Sequence, residues 1–455
     1  MSAFNPHDRQ FEVSDGDQST SLPELLGAFS YALDLTEGQP PGHSLRACYI
    51  AVAVADRIGV DAQIRSTVYY ATLLKDLGCS SNAARIAEVY LADDRQFKHD
   101  FKLIGDGIGP ALRFVFARTG LGYPASKRAA AIVGILRNGG EIARSLIEAR
   151  CTRGAEIARA LRFPEEVAQG IHSLDEHWSG SGKPQGLVGD AIPLASRIAL
   201  LAQVADVFFT NAGREAALTE VLRLSGKWFD PALCEAFRSL GNGPRLWEAL
   251  QSSELHSKVA ALLPEENALP VDEDYLDNIA SAFGQVIDAK SPYTAGHSAR
   301  VGDLANIVGG KMGLAGDDLR SLRRAAMLHD VGKLGVSCAI LEKPGKLTSD
   351  EWVIMQGHAA QTAEILGRVG PLRRMAMVAA SHHERLDGRG YPLGLDASMI
   401  AREARIITVC DFYDALTADR PYRAALQPEQ AFTIMQNEAG GAIDASCFST
   451  LKASL

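Results

Sequence analysis

Residues 319–333, LRSLRRAAMLHDVGK, carry the pattern from which the fold can be predicted. Apolar side chains follow the spacing of one helix face at Leu319, Leu322, Ala325, Ala326 and Leu328. That spacing is typical of an amphipathic helix, and His329 and Asp330 stand directly behind it. The same spacing recurs at Val301, Leu304, Ala305 and Val308. Alternating runs typical of strands are scarce, so the sequence predicts an all-α fold.

Length and composition exclude several classes of protein. The chain has 455 residues, enough for two to four domains of roughly 100–200 residues each. A formal net charge of −9 argues against a nucleic-acid partner bound by bulk charge. The seven cysteines never stand in C-x-x-C spacing, which indicates a reduced, cytoplasmic protein. We expect neither a membrane span nor a signal peptide, because long apolar runs are missing and the N-terminus is polar.

Motifs of the first half return in the second half in the same order. The pairs are GHSLR (42–46) with GHSAR (296–300), LLKDLG (73–78) with MLHDVG (327–332), and GSGKPQGL (180–187) with GRGYPLGL (388–395). The first two pairs share one offset and the third has a smaller one, so the first copy carries an insertion. The chain is therefore predicted to be a tandem duplication. Its predicted parts are a disordered tail at 1–20, a first copy at 21–250, a linker at 251–275 and a second copy at 276–455.

Histidines and aspartates concentrate in the second copy. The candidates are His297, His329, Asp330, His358, His382, His383 and Asp411. A single inward histidine is more often a satisfied core residue than a ligand. Five histidines and two aspartates on separate helices are different, because burying so many unpaired polar groups is costly. Neutral imidazoles with a carboxylate able to bridge are what a dinuclear transition-metal site needs.

Longer motifs surround these residues. They are HDVGK (329–333), ILEKPGKLT (340–348), HHERLDGRGYP (382–392), DFYDALT (411–417) and RPYR (420–423). In this order they resemble the HD-GYP family of phosphodiesterases, over about residues 280–450. The resemblance implies tandem HD-type helical domains and hydrolysis of cyclic di-GMP to linear pGpG, with GMP as a further product. It also implies two or three metal ions, commonly iron or manganese.

The resemblance also implies roles for single residues. The implied metal ligands are His297, His329, Asp330, His358, His382, His383 and Asp411, with Asp330 as the bridging carboxylate. Asp330 and Lys333 are the implied catalytic residues. Implied substrate contacts are Lys333, Asp414, Arg420, Arg423, Gly390, Tyr391 and Pro392. Family members with three metals have a glutamate where this sequence has Tyr293, so we expect two.

Lys333 and the two arginines also have a physical reason to bind phosphate. Lys333 lies one helical turn after His329, from where its ammonium could reach a non-bridging phosphate oxygen. Arg420 and Arg423 share a face if their segment is helical, and their guanidinium forks suit phosphate or guanine edges. Gly390, Tyr391 and Pro392 lie in a turn whose glycines permit close approach of a ligand.

The first copy lacks most of the candidate ligands. His43 and Asp76 remain, but other residues stand at the ligand positions: Lys75 for His329, Cys79 for Lys333, Arg150 for His358, Leu174 and Asp175 for the histidine pair, and Gln203 for Asp411. We therefore predict no metal-dependent catalysis there, and a regulatory or dimerising role instead. Signalling proteins are candidate partners of this copy or of the turn at 388–392. Two alternatives stay open: an HD-type hydrolase of another nucleotide, and a non-catalytic cyclic di-GMP signalling module.

Overall fold

The structure is a computed structural model that describes residues 21–104, 107–263, 271–420 and 423–455. These residues form α-helices and short 3₁₀ turns without any strand, which confirms the predicted all-α class. The predicted tail at 1–20 lies outside the described residues, as does the part of the predicted linker at 264–270. None of the described helices combines the length and the apolar character needed to cross a lipid bilayer.

The first half of the chain builds the larger set of helices. Within its described part they are α1 (Leu22–Thr36), α2 (His43–Ile58), α3 (Ala62–Leu73), α4 (Ala83–Tyr90), α5 (Asp94–Lys102), α6 (Ile108–Arg118), α7 (Ala125–Ala160), α8 (Glu165–His172), α9 (Leu194–Ala212), α10 (Arg214–Arg223), α11 (Pro231–Gly241), α12 (Arg245–Leu250) and α13 (Leu255–Ala260). Helix α13 lies inside the predicted linker and packs against α1 and α2. Its Val259 is buried, so this stretch belongs to the packed body of the first half.

The second half repeats this order with fewer elements. Its helices are α14 (Glu273–Asp288), α15 (His297–Lys311), α16 (Gly316–Leu328), α17 (Cys338–Leu341), α18 (Ser349–Gly367), α19 (Arg373–Ala380), α20 (Arg402–Thr417), α21 (Pro428–Glu438) and α22 (Ala445–Lys452). At the offsets of the motif pairs, α1 to α3 correspond to α14 to α16, and α8 and α9 correspond to α19 and α20. The extra residues of the first copy therefore lie in the region of α4 to α7.

Local sequence sets where the helices that carry the histidines begin. Gly296 precedes α15 with a φ of 72°, a left-handed conformation that glycine adopts without strain. Helix α18 starts with a capping box, in which the side chains of Thr348 and Glu351 each bond the other residue's backbone N–H. These starts fix the register that turns His297 and His358 toward the interior.

The two copies share one hydrophobic core. Phe29 of α1 stacks on Phe283 of α14 with ring centroids 4.0 Å apart, and both side chains are fully buried. The Tyr275 hydroxyl of α14 donates to the backbone oxygen of Leu161 at 3.1 Å. Full burial of a phenylalanine stabilises by about 1.5–3 kcal/mol, so each copy depends on apolar surface that the other covers.

Candidate metal centre

Four histidines point their Nε2 atoms at one buried carboxylate, Asp330. His297 and His329 approach its Oδ2 at 3.6 and 3.3 Å. His358 and His382 approach its Oδ1 at 3.4 and 3.6 Å. Each oxygen of the carboxylate thus has two imidazoles of its own, which is the arrangement that a carboxylate bridging two ions requires.

Two further predicted ligands lie beside the histidines that face the two oxygens of Asp330. Asp411 Oδ1 lies 3.4 Å from His297 Nε2 and 3.7 Å from His329 Nε2. His383 groups with Asp330, His358 and His382, with one potential ligand atom of each lying within 4.8 Å of the others. The structure therefore brings all seven predicted ligand residues into one cluster, contributed by α15, α18, α20 and the turns at His329–Asp330 and at Ser381–His383.

Hydrogen bonds on the opposite ring nitrogens decide which tautomer the histidines adopt. His329, His358 and His382 each direct Nδ1 at a backbone oxygen three residues earlier. The acceptors are Ala326 at 2.6 Å, Met355 at 2.6 Å and Ala379 at 2.7 Å. A carbonyl only accepts, so Nδ1 must carry the proton and Nε2 of the neutral ring offers a lone pair to the cluster. Such outer partners commonly orient metal-binding histidines.

The Asp414 carboxylate bonds two side chains of α15. Its Oδ2 lies 2.7 Å from His297 Nδ1, and its Oδ1 accepts from Arg300 Nε at 2.6 Å. Arg300 Nη2 also donates to Oδ2 at 3.0 Å. Both carboxylate oxygens accept hydrogen bonds within the protein, and the substrate contact implied for Asp414 stays a prediction. The Asp414 carboxylate holds the His297 ring in place, which explains why His and Arg recur together in the repeated GHSxR motif.

Charges within the cluster perturb its titration strongly. Burial opposes ionisation of Asp330, but the charges of Lys333 and His329 hold its pKa well below the usual range. Burial also opposes charge on His329, yet the carboxylates of Asp330 and Asp411 raise its pKa to about 10. Burial lowers the pKa of His358 to about 3, so this ring is neutral at pH 7. The carboxylates thus demand a positive charge beside His329, which a metal cation would supply in place of a proton.

The donor set fits a metal ion by a second observation. Within the described part of the chain, His329 Nε2 and Asp330 Oδ1 are buried and have no hydrogen-bond partner. Buried polar atoms are nearly always paired, and unpaired ones in such a cluster indicate a ligand. Imidazole nitrogens with carboxylate oxygens suit first-row transition metals, a class that contains both iron and manganese.

The turn after Asp330 depends on glycine. A Cβ atom on Gly332 would lie 2.0 Å from the backbone oxygen of His358, so no larger residue permits this approach of the turn to α18. The Gly332 N–H donates to Thr362 Oγ1 at 3.0 Å, and that hydroxyl donates to the backbone oxygen of His329 at 3.0 Å. Lys333 follows directly, and its partly exposed ammonium bonds Asp330 at the edge of the cluster.

The three Gly-Tyr-Pro residues, which are predicted substrate contacts, have different surroundings. Tyr391 packs its ring on His383 with centroids 4.7 Å apart, and therefore lies at the cluster. The next residue, Pro392, is half-buried. Gly390 instead meets protein backbone: a Cβ there would lie 2.4 Å from the backbone nitrogen of Arg385. The chain itself fills the space that a side chain at Gly390 would need, and a ligand contact at Gly390 stays a prediction.

Arg423 is also used inside the protein. Its guanidinium donates at 2.8 Å to three backbone oxygens, those of Ala415, Leu416 and Ala424. Arg420 and Arg423 exchange backbone hydrogen bonds at 2.8 and 3.1 Å, so they do not share a helix face. The Arg423 side chain thus bonds C-terminal carbonyls of α20. Its phosphate contact stays a prediction. Arg420 stays a predicted substrate contact.

One buried acid next to the histidine pair escaped the sequence analysis. The Glu384 carboxylate accepts from the backbone nitrogens of Leu393 at 2.7 Å and Leu395 at 2.8 Å, and so closes the loop that carries Tyr391. Glu176 does the same in the first copy, accepting from Leu187 N at 2.9 Å. The signal was present, since the two glutamates correspond at the offset of the GxGxPxGL motifs.

The first copy keeps the histidine, arginine and aspartate contacts beside the centre, but a lysine stands where the second copy has a histidine of the cluster. His43 Nδ1 lies 2.7 Å from Asp206 Oδ2, and Arg46 Nε donates to Asp206 Oδ1 at 2.6 Å. On the other side of the ring, the buried Lys75 ammonium donates to His43 Nε2 at 3.1 Å and also bonds Asp76. A lysine cation therefore lies between the imidazole and the carboxylate that face the metal position in the second copy.

Comparison with known proteins agrees with this geometry. The sequence profile of the family described as HD domain matches residues 140–233 and 282–447, which lie in the two copies. The 3′3′-cGAMP-specific phosphodiesterase 3 of Vibrio cholerae serotype O1 is 47% identical over 434 residues, 95% of this chain and 94% of that protein. The cyclic di-GMP phosphodiesterase response regulator RpfG of Xanthomonas campestris pv. campestris is 36% identical over 175 residues, 38% of this chain and 46% of that protein.

A solved structure extends the likeness to the fold. The crystal structure of a cyclic GMP-AMP-specific phosphodiesterase of V. cholerae (V-cGAP3) matches with a TM-score of 0.65 and 43% identity. The match covers 96% of this chain and 98% of that one. The chain described here therefore belongs to the HD domain family, as a metal-dependent cyclic dinucleotide phosphodiesterase of the HD-GYP type with a degenerate first copy.

Proposed function

We propose that this chain opens 3′3′-cyclic GMP-AMP to a linear dinucleotide, with cyclic di-GMP as the second candidate substrate. The observation that carries the chemistry is the convergence of four Nε2 lone pairs on the two oxygens of Asp330. The choice of substrate is supported by the 47% identity that extends over both copies to a protein named for 3′3′-cGAMP. The relatives named for cyclic di-GMP cover a smaller share, 38% of this chain in one case.

In this proposal the residues divide into three roles. Bound metal ions would polarise the scissile phosphate and activate a water for attack. The ligands are His297, His329, Asp330, His358, His382, His383 and Asp411. Asp414 orients His297 and fixes its tautomer. Lys333 holds a non-bridging phosphate oxygen with its ammonium, which is already pinned beside the cluster by Asp330.

Tyr391 defines one wall of the proposed substrate site. Its ring lies between His383 and Trp352, with centroid distances of 4.7 and 6.2 Å. Trp352 is half-exposed on α18, so an aromatic surface reaches from the cluster to solvent. Such a surface suits stacking of a nucleobase while the phosphate lies at the histidines. Recruitment of signalling proteins, pairing of two chains and the cytoplasmic location stay predictions.

The substrate is tested by direct competition. Metal-loaded protein is given equal concentrations of 3′3′-cyclic GMP-AMP and cyclic di-GMP, and both linear products are followed by chromatography and mass spectrometry. We expect kcat/KM for cyclic GMP-AMP to be at least about tenfold higher, a difference of about 1.4 kcal/mol in transition-state binding. Equal values would show that the chain does not distinguish the two substrates, and a reversed ratio would assign it to cyclic di-GMP. Product masses also show whether hydrolysis stops at the linear dinucleotide or continues to mononucleotides.

Metal content is expected to be two ions per chain. Tyr293 stands where family members with three metals have a glutamate, and its phenol does not supply the carboxylate oxygens of that residue. Elemental analysis of active protein should give two transition-metal ions, and chelation should remove activity that iron or manganese restores. Asp330→Ala should lose the metal, because both halves of the site share this carboxylate. Three tightly bound ions in active wild-type protein would contradict this expectation.

A further inference from the structure

The segment that follows Lys333 is held by the first copy of the chain. Asp94, at the start of α5, is fully buried and accepts at Oδ1 from the backbone nitrogen of Cys338 at 2.8 Å. The same oxygen lies 3.2 Å from the Ser337 hydroxyl, which donates to it. These are contacts between residues about 240 positions apart, and they reach the chain only a few residues beyond the His-Asp pair.

Arg95 bonds the same segment from the next position of α5. Its Nη1 donates to the backbone oxygen of Gly335 at 2.5 Å, while its Nε donates to the backbone oxygen of Leu35 at 2.8 Å. The guanidinium therefore ties the segment to the C-terminal end of α1. Two neighbouring residues of the first copy thus supply one acceptor and one donor to residues 335–338.

The second copy fixes the segment from its other side. Lys290 is buried, and its Nζ donates to the backbone oxygen of Leu334 at 2.6 Å. Before Lys333, the turn is fixed by Gly332 against α18, as described above. Lys333 therefore stands between a turn held by its own copy and a segment held partly by the other copy. Where its ammonium lies depends on both.

We propose that Asp94 and Arg95 are positioning residues for Lys333, so that the degenerate copy completes the catalytic site of the other. This role rests on the proposed function in one respect: the first experiment measures turnover of a cyclic dinucleotide. A shift of about 1 Å in a charged group at a reacting phosphate can cost up to about 10²-fold in rate. Loss of the Asp94 contacts frees the backbone at 337–338 and allows such a shift. His329 and Asp330 precede Gly332, whose contact with α18 holds that part of the turn, and the other proposed ligands lie on other elements.

The first experiment compares Asp94→Ala with a conservative and a matched variant in the full chain. We expect Asp94→Ala to lower kcat about tenfold with KM within about twofold and metal content unchanged. Asp94→Asn keeps an acceptor oxygen and should recover most of the rate. Tyr275→Phe removes another hydrogen bond between the copies, remote from Lys333, and should leave kcat unchanged. Arg95→Ala serves as the second test variant if Asp94→Ala does not fold.

A second experiment separates positioning from a general structural role. In a Lys333→Met background, Asp94→Ala should cause no further loss of kcat, because the group that it positions is gone. If the losses of kcat from Asp94→Ala and Lys333→Met multiply in the double variant, the proposal is overturned. The same holds if Asp94→Ala folds and has the kcat of active wild type. Hydrogen exchange of residues 334–338 gives a readout without turnover: it should accelerate in Asp94→Ala and not in Tyr275→Phe. If wild type is inactive on both cyclic dinucleotides, only the proposed function is overturned. If hydrogen exchange of residues 334–338 is equal in Asp94→Ala and Tyr275→Phe, the positioning role is overturned.

Discussion

Asp330→Ala should abolish turnover, while Asp76→Ala at the corresponding position of the first copy should leave kcat nearly intact. Asp330 is the carboxylate that the four histidines share, so its removal deprives both halves of the site of a ligand. We expect a loss of at least about 10³-fold, equivalent to about 4 kcal/mol of transition-state stabilisation. His329→Ala should act in the same way, since it removes a buried Nε2 ligand. Steady-state rates per folded protein, with circular dichroism as the folding control, measure both effects.

The Asp76 variant should nevertheless be less stable. Asp76 is buried and pairs with the Lys75 ammonium, which is itself buried. Breaking a buried pair by removing one partner typically costs about 3–5 kcal/mol, because the other charge is left without compensation. For Asp76→Ala we therefore expect a lower Tm with an unchanged kcat. For Asp330→Ala we expect the loss of kcat to be the main effect. Comparable losses of kcat in the two folded variants would contradict the assignment of catalysis to the second copy.

A fragment that starts at residue 271 should not fold into a stable domain on its own. Phe283 would lose its stacking partner Phe29, and the apolar faces of α14 and α18 that pack on α1 would meet water. Each large apolar side chain that becomes exposed costs about 1.5–3 kcal/mol, whereas whole domains are stable by only about 5–15 kcal/mol. Thermal melting by circular dichroism and size-exclusion chromatography should show an aggregated or non-cooperatively unfolding fragment.

A tandem duplication with a linker predicts a second copy that still binds metal after residues 1–260 are removed. The shared core argues otherwise, because its apolar surface is divided between the copies. A fragment that melts cooperatively near the Tm of the full chain and binds two metal ions would show that the copies are independent after all.

How far the sequence predicted the candidate site depended on the kind of group. The histidines and aspartates of the cluster were predictable because metal chemistry demands particular atoms, and five histidines with two aspartates have few other reasons to occur together. The internal hydrogen bonds of nearby charged side chains were less predictable. Asp414 and Arg423 are charged and lie in the right motif, but only the packing of α20 shows that His297, Arg300 and backbone carbonyls already use their polar atoms. A pattern of residue types does not reveal which hydrogen bonds are satisfied internally.

By itself the sequence determined the all-α class, the duplication and the side chains that form the histidine cluster. Helical periodicity, repeats and donor chemistry can all be recognised from the order of residues. Only the tertiary structure decided that Lys75 supplies a cation in the first copy, that the copies share one core, and that Asp94 reaches the segment behind Lys333. These contacts join residues far apart in the chain. Their energy comes from burial and from pairing of polar groups that no local pattern encodes, so they exist only once the helices have packed.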